Sequence, residues 1–111
     1  MSRITDCLLS FSCLEECDSD DEFLILADVN KFFTTQYGFV SIHDKRLPRG
    51  WTGGGKVFTS PLFIGAFNHI DVEKLINHLR SLPFNYPLEV QLIYAEEEGG
   101  FIIYNLMGNW Q

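Results

Sequence analysis

The chain has 111 residues, of which 46% are hydrophobic and 14% aromatic, and its formal net charge at pH 7 is −7. The length predicts a single domain over residues 1–111, and the hydrophobic share excludes a disordered chain and predicts a phenylalanine-rich core. The acidic balance excludes charge-driven binding to nucleic acid or to an anionic membrane surface, and it favours a basic protein partner.

The first predicted element is a strand from Ile4 to Leu14, in which apolar residues alternate and one face lies on a core. Cys7 and Cys13 would lie about 20 Å apart along this strand, which is too far for a disulfide. Together with Cys17, the three cysteines match no zinc or redox spacing and predict reduced thiols in the cytoplasm. No secretory signal and no apolar run of the ~18 residues needed for a membrane span is present.

A capping box at Ser19 and Glu22 predicts a first helix from about Asp20 to Gln36. Its apolar stripe is Ile25, Leu26, Val29, Phe32 and Phe33. Gly38 is placed to end the helix as a left-handed cap. The continuous apolar run from Phe23 to Ala27 leaves a buried strand open as an alternative.

Two strands and a long loop follow the first helix. A short strand is predicted from Phe39 to His43, and the segment from Asp44 to Lys56 is a glycine-rich loop. The next strand runs from Val57 to Phe67. Pro61 is an objection to an interior position for this strand, because proline donates no ladder hydrogen bond, and a bulge there would remove the conflict.

The second helix is predicted to begin at an Asn68 cap and to end at Pro83. Its apolar stripe is Val72, Leu75, Ile76, Leu79 and Leu82. A half-buried strand follows from Leu88 to Tyr94. Gly99-Gly100 then predicts a hairpin turn into a last strand from Phe101 to Met107.

This order of elements predicts an α+β fold of the ferredoxin-like split β-α-β type, βαββαβ plus a C-terminal hairpin strand. Two helices would cover one face of an antiparallel sheet whose strands, counted along the chain, neighbour each other as 2-3-1-4-5. The arrangement gathers three segments at one end: Cys13 to Asp21, His43 to Lys56 and Pro83 to Pro87.

That loop-rich end is the candidate partner-binding surface. A long loop in a compact domain is often a binding loop, and Trp and Arg are favoured interface anchors. The candidate partner-binding residues are Lys45, Arg46, Arg49, Trp51, Lys56, Asp18, Asp20 and Asp21. The alternative is a loop held by surface ion pairs, each worth about 0–1 kcal/mol.

Residues from Gly50 to Lys56 have the spacing of a phosphate-binding loop up to its lysine. Val57 stands where the magnesium-binding hydroxyl belongs, and the loop leads into a strand instead of a helix, so nucleotide hydrolysis is not predicted. A weaker hypothesis is an anion-binding loop, and its candidate ligand-binding residues are Gly53, Gly54, Gly55 and Lys56.

No catalytic, metal or cofactor site is predicted. Cys13, Cys17 and His43 would make three zinc ligands but lack a second closely spaced pair, so small thiols without a metal are favoured. Carboxylates occur in runs, which are typical of solvated charge, and no serine or cysteine lies in a nucleophile elbow. The predicted outward sheet positions are polar or acidic, which disfavours RNA binding: Ser10, Ser12, Glu89 and Gln91.

The sequence therefore favours a small acidic cytoplasmic protein-interaction domain without catalytic activity, such as an inhibitor or immunity-type protein that binds a basic partner. A small-ligand or anion-binding regulatory domain that uses the segment from Gly50 to Lys56 is the alternative, and a small enzyme with dispersed catalytic groups is a third hypothesis. The last predicted strand is an exposed edge at which a homodimer would pair.

Overall fold

A computed structural model describes residues 3–18, 22–44, 52–53, 56–57, 61–97 and 99–107, with backbone only at 52, 53, 56 and 57. The helices are α1 (Leu24–Asn30) and α2 (Val72–Ser81), and the strands are β1 (Ile4–Ser10), β2 (Val40–Ser41), β3 (Thr52–Gly53), β4 (Lys56–Val57), β5 (Leu62–Asn68), β6 (Gln91–Glu96) and β7 (Ile102–Asn105). Five of the strands form one antiparallel sheet, which confirms the predicted α+β class.

The strands of the large sheet are arranged in the order β2-β5-β1-β6-β7. Strand β1 is central and pairs with β5 from Ile4 to Ser10 and with β6 from Thr5 to Ser10. The five predicted strands therefore have the neighbours that were expected for them. Strands β3 and β4 form a separate two-stranded hairpin within the segment that was predicted to be a loop.

The core lies between one face of this sheet and the two helices. Its buried cluster includes Cys7, Leu9, Phe11, Ile25, Val29, Phe63, Phe67, Leu75, Leu79, Leu92 and Tyr94. Phenylalanine rings dominate the packing: Phe11 stacks on Phe63 at 4.8 Å between centroids, and Phe33 stacks on Phe67 at 4.2 Å. Because burying one such side chain contributes about 1.5–3 kcal/mol, these rings are a main source of stability.

Helix α1 is shorter than predicted at both ends. It begins at Leu24 with Phe23 as an extended N-cap residue, so Glu22 lies before the helix and not in its first turn. Ser19, the other residue of the predicted capping box, lies outside the described residues. The ring of Phe23 packs edge-on against Phe11 at 5.1 Å, and its backbone bridges to Cys17. Tertiary packing therefore holds Phe23 outside the helix, while the rest of the ambiguous apolar run is helical.

Helix α1 ends at Asn30, and Gly38 is not its left-handed cap. The Asn30 side chain instead clamps the backbone of Phe39: Nδ2 donates to the Phe39 carbonyl at 3.0 Å, and Oδ1 accepts from the Phe39 N–H at 2.8 Å. A Cβ atom added at Gly38 would lie 2.2 Å from Asn30 Oδ1. Glycine is therefore required at this position because the Asn30 amide occupies the space of a side chain.

The first strand ends at Ser10 and not at Leu14, so Cys13 is exposed and lies outside the strand. Strand β2 is also shorter than predicted. Strand β5 begins at Leu62, so that Pro61 lies before the ladder and needs no bulge.

The N-cap of helix α2 lies three residues after the predicted Asn68 cap. Asp71 is the N-cap, and its carboxylate accepts the Lys74 N–H at 3.3 Å. Asn68 belongs to β5, and its backbone N–H and C=O both bond to the Gln36 side chain. Four members of the predicted apolar stripe are confirmed, since Val72, Leu75, Ile76 and Leu79 are buried, whereas Leu82 follows the helix as its C-cap and is half-buried.

Strand β6 begins at Gln91 and not at Leu88. The residues before it, Pro87–Glu89, form a short 3₁₀ helix, and Leu88 is 82% exposed although the sequence predicts it to face the core. Strand β7 spans Ile102–Asn105, and the connection to it is longer than a two-residue turn.

Glu15 is a buried carboxylate that joins the connection between α2 and β6 to the segment that follows β1. It is 4% exposed, and its two oxygens accept the backbone N–H groups of Asn85 at 3.1 Å and Tyr86 at 2.8 Å. Two of the three segments that were predicted to share one end, Cys13 to Asp21 and Pro83 to Pro87, therefore meet at Glu15.

Gly38→Ala should lower the free energy of unfolding by about 1–3 kcal/mol, because the new Cβ displaces the Asn30 amide from both of its hydrogen bonds. Chemical denaturation measures the change. Gly100→Ala is the matched control, since a Cβ there meets nothing within 4 Å. Equal stability of the two variants would contradict the role given to Asn30.

Glu15→Gln should lower the free energy of unfolding by about 1.5–3 kcal/mol, because an amide offers only one acceptor oxygen to two backbone N–H groups. The exposed neighbour Glu16, changed to Gln, is the control and should have little effect. Amide hydrogen exchange of Asn85 and Tyr86 should accelerate in Glu15→Gln alone. Unchanged exchange at both amides would refute the fastening role.

Candidate binding surface on the outer sheet face

The sheet face opposite the core, here named the outer face, carries a row of aliphatic side chains. Leu8 of β1 is paired with Ile64 of β5 and with Ile93 of β6. Val40 extends the row beyond Ile64, and Ile103 extends it beyond Ile93. Paired residues project from the same face of a sheet, so these five side chains form one line, the aliphatic row, about 19 Å long at ~4.8 Å per strand.

A second row on the outer face lies next to the aliphatic row and is lined by short side chains. Asp6 of β1 is paired with Ala66 of β5 and with Ala95 of β6. The two alanines leave space above the sheet, so these three residues form a trough. Phe101, which is 62% exposed, and Tyr37, which is 84% exposed, lie at its margins.

Asp6 and Ala66 of the trough, together with part of the aliphatic row, bound a concavity of about 630 Å³. Its lining includes Asp6, Leu8, Tyr37, Gly38, Val40, Asp44, Ile64, Ala66 and Phe101. A volume of about 300–1,000 Å³ is typical of ligand sites, and exposed apolar patches mark interaction surfaces. The concavity and its mostly apolar lining are therefore the candidate binding surface.

Asp6 and Asp44 place two carboxylates on the lining of this concavity, and the one within the trough is Asp6. The side chain of Asp6 is exposed. The ion pairs formed within the described ranges join Arg3 to Glu96 and Lys31 to Asp28, and neither involves Asp6. The Asp6 carboxylate is therefore open to a cation from outside, with the modest attraction that is typical of exposed ion pairs.

Cys7 lies next to Asp6 in the chain but points into the core. Burial, with a smaller contribution from the neighbouring Asp6 carboxylate, raises the pKa of the Cys7 thiol to about 12. Since the thiolate is the reactive species, Cys7 is an inert core residue and not a nucleophile for the concavity.

A second, smaller concavity of about 350 Å³ lies where β1, β5 and α2 meet. Its polar groups have structural partners: Arg3 pairs with Glu96 at 3.3 Å, and Asp71 caps α2. His69 has a left-handed backbone with φ of 52°, and its N–H donates to the Arg3 carbonyl. These groups fasten the chain where a strand turns into a helix, so the outer face is the stronger candidate.

The residues predicted from the sequence for partner or ligand binding lie mostly beyond the described part of the chain: Lys45, Arg46, Arg49, Trp51, Asp20, Asp21, Gly54 and Gly55. Asp18 is described and exposed, and its carboxylate accepts the Glu22 N–H at 3.0 Å. The backbones of Gly53 and Lys56 pair with each other in the β3–β4 hairpin. The proposed roles of all these residues stay predictions.

The outer face was missed because strand limits were misplaced. Ser10 and Gln91 do lie on it as a pair, but Ser12 is buried beyond the end of β1 and Glu89 lies in the 3₁₀ helix. The signal was present at Leu8, an apolar residue at an outward position of the predicted first strand.

Comparison with protein-family models, with curated proteins and with solved structures finds no match to this chain. Within the described ranges, no three His, Cys, Asp or Glu side chains are grouped closely enough to hold a metal ion. Among the same residues, no helix has the length and apolar composition required to cross a bilayer. The function is therefore inferred from the outer face itself.

Cys7 should resist alkylation in the folded protein, whereas Cys13 and Cys17, which are exposed, should react. With its pKa at about 12, the thiolate fraction of Cys7 at pH 8 is about 10⁻⁴. Iodoacetamide labelling followed by peptide mass spectrometry should find Cys7 modified only after unfolding in guanidinium chloride. Comparable labelling of all three thiols in the native protein would contradict the burial of Cys7.

Proposed function

We propose that this chain is a non-catalytic protein-interaction domain whose outer sheet face binds a basic partner protein. The observation that carries the proposal is the aliphatic row lying beside the exposed Asp6 carboxylate, on a chain of net charge −7. Apolar contact provides affinity, and the negative field accelerates encounter with a positively charged partner. An inhibitor or immunity-type protein that neutralises a basic target is the form of this function that the charge favours.

Binding is favoured over catalysis by the chemistry of the concavity. Acid–base catalysis needs two titratable groups held in contrasting environments. Among the described residues, the lining of the concavity holds two carboxylates, the exposed Asp6 and the half-buried Asp44, and no histidine, and the nearest thiol, Cys7, is turned into the core and stays protonated. Alanine and aliphatic side chains make up most of the remaining outer surface of β1, β5 and β6, and they suit packing.

We also propose a specific fold topology and a cellular location for the domain. We assign the domain to the ferredoxin-like split β-α-β type, supported by the strand order β2-β5-β1-β6-β7 and by antiparallel pairing throughout. The free thiols of Cys7, Cys13 and Cys17 support a reducing, cytoplasmic location. A homodimer paired through β7, the last strand in the sheet order, remains a separate proposal.

Immobilised full-length chain should capture a basic protein from an extract of its native host, and raised salt should weaken capture, because surface charge attraction is screened. An unrelated acidic protein of similar size and net charge, immobilised at equal density, is the control. The captured protein should then bind purified chain in isothermal titration calorimetry. Equal capture of the same proteins by the control would refute a specific interaction function.

A further inference from the structure

We propose that the trough receives a lysine or arginine side chain of the partner, while apolar residues of the same partner segment cover the aliphatic row. This inference rests on the proposed function and specifies both the surface and the class of segment that it binds. The occupant is a stretch of another protein in which a cationic side chain is flanked by apolar ones.

The two rows are close enough for one segment to contact both. Asp6 and Leu8 are two residues apart on β1, so the trough and the aliphatic row are about 7 Å apart. Ile64 and Ile93 flank Leu8 in the same way that Ala66 and Ala95 flank Asp6. The methylene stem of a lysine or arginine would lie along the alanines while its charged end reaches the carboxylate.

The charge of Asp6 selects among possible occupants. Covering the trough with a purely apolar group would remove water from the Asp6 carboxylate without supplying a counter-ion, which is unfavourable. A cation at the same place compensates the carboxylate and keeps its hydrogen-bonding capacity in use. The occupant must therefore carry positive charge opposite Asp6.

The same reasoning disfavours a second copy of this chain on the outer face. A two-fold interface brings identical patches together, so the Asp6 carboxylate of one copy would approach that of the other. Each copy also carries a net charge of −7, which adds repulsion. A basic partner removes both penalties.

The aromatic margins of the concavity fit a basic segment as well. Phe101 and Tyr37 present exposed rings beside the trough. Arginine and lysine side chains pack favourably over such rings through cation–π contact. These rings therefore extend the contact surface without adding charge.

A fluorescein-labelled amphipathic peptide of leucine and lysine, about 13 residues long so that as a helix it spans the ~19 Å row, is the probe. A peptide with glutamate in place of lysine is its control. Fluorescence anisotropy gives the Kd with full-length chain, and ¹H–¹⁵N spectra locate the contact. Shift changes are expected at Asp6, Leu8, Ile64 and Ile93, and the glutamate peptide should not bind.

Asp6→Asn and Glu73→Gln form a matched pair of variants. Each removes one negative charge, but Glu73 is an exposed residue of α2, on the helix side of the sheet. Asp6→Asn should raise the Kd about three- to fivefold more than Glu73→Gln, the range expected for losing a partly exposed ion pair. Leu8→Thr, which keeps a strand-forming residue, should also raise the Kd, and its folding is checked by the same spectra.

Equal weakening by Asp6→Asn and Glu73→Gln, or shift changes confined to the helix side, would overturn the inference. A dimer in sedimentation velocity whose interface covers the outer face would overturn it as well. If the peptide binds at the trough but no host protein is captured, the proposed function fails while the surface stands. If a host partner binds wild type, Asp6→Asn and Leu8→Thr equally, the function stands and this inference fails.

Discussion

The structure depends on the pairing of β1 with a neighbour on each side. Strands β5 and β6 fix its register over almost its whole length, so alternate residues of β1 are committed to opposite faces. Cys7 and Leu9 face the core, whereas Asp6 and Leu8 face outward. A slip of one residue would exchange the two sets, placing a carboxylate among phenylalanine rings, and the cost of burying that charge makes the register unambiguous.

Most of the sheet and the second helix could be predicted from the sequence, because their signals are periodic and local. Alternation identified β1 and β6, and the stripe of α2 was correct at Val72, Leu75, Ile76 and Leu79. These patterns arise from burial on one side, which the finished fold preserves. The limits of elements were less predictable, since Phe23 and Leu88 take positions set by tertiary packing and by a proline turn.

The side-chain hydrogen bonds that hold loops in place could not be predicted, because no local sequence pattern marks the residues that form them. Asn30 looks like a solvated helix position, yet its amide pairs with the backbone of Phe39 and dictates glycine at position 38. Glu15 looks like one member of an acidic run, yet it is buried against two backbone N–H groups. The candidate site was hidden for the same reason, since a row across five strands exists only once the register is known.

The charge at Asp6 on the outer face affects the pKa of Cys7 in the core, because the two residues are neighbours on β1, but the effect is small. Burial is the main cause of the raised pKa of Cys7, and the Asp6 carboxylate is the lesser cause. A cation bound in the trough would cancel the lesser cause and leave the burial unchanged, so Cys7 would stay protonated in the complex. A cation bound at Asp6 would therefore change the charge of the surface without activating the thiol beneath it, which is consistent with the proposed recognition role.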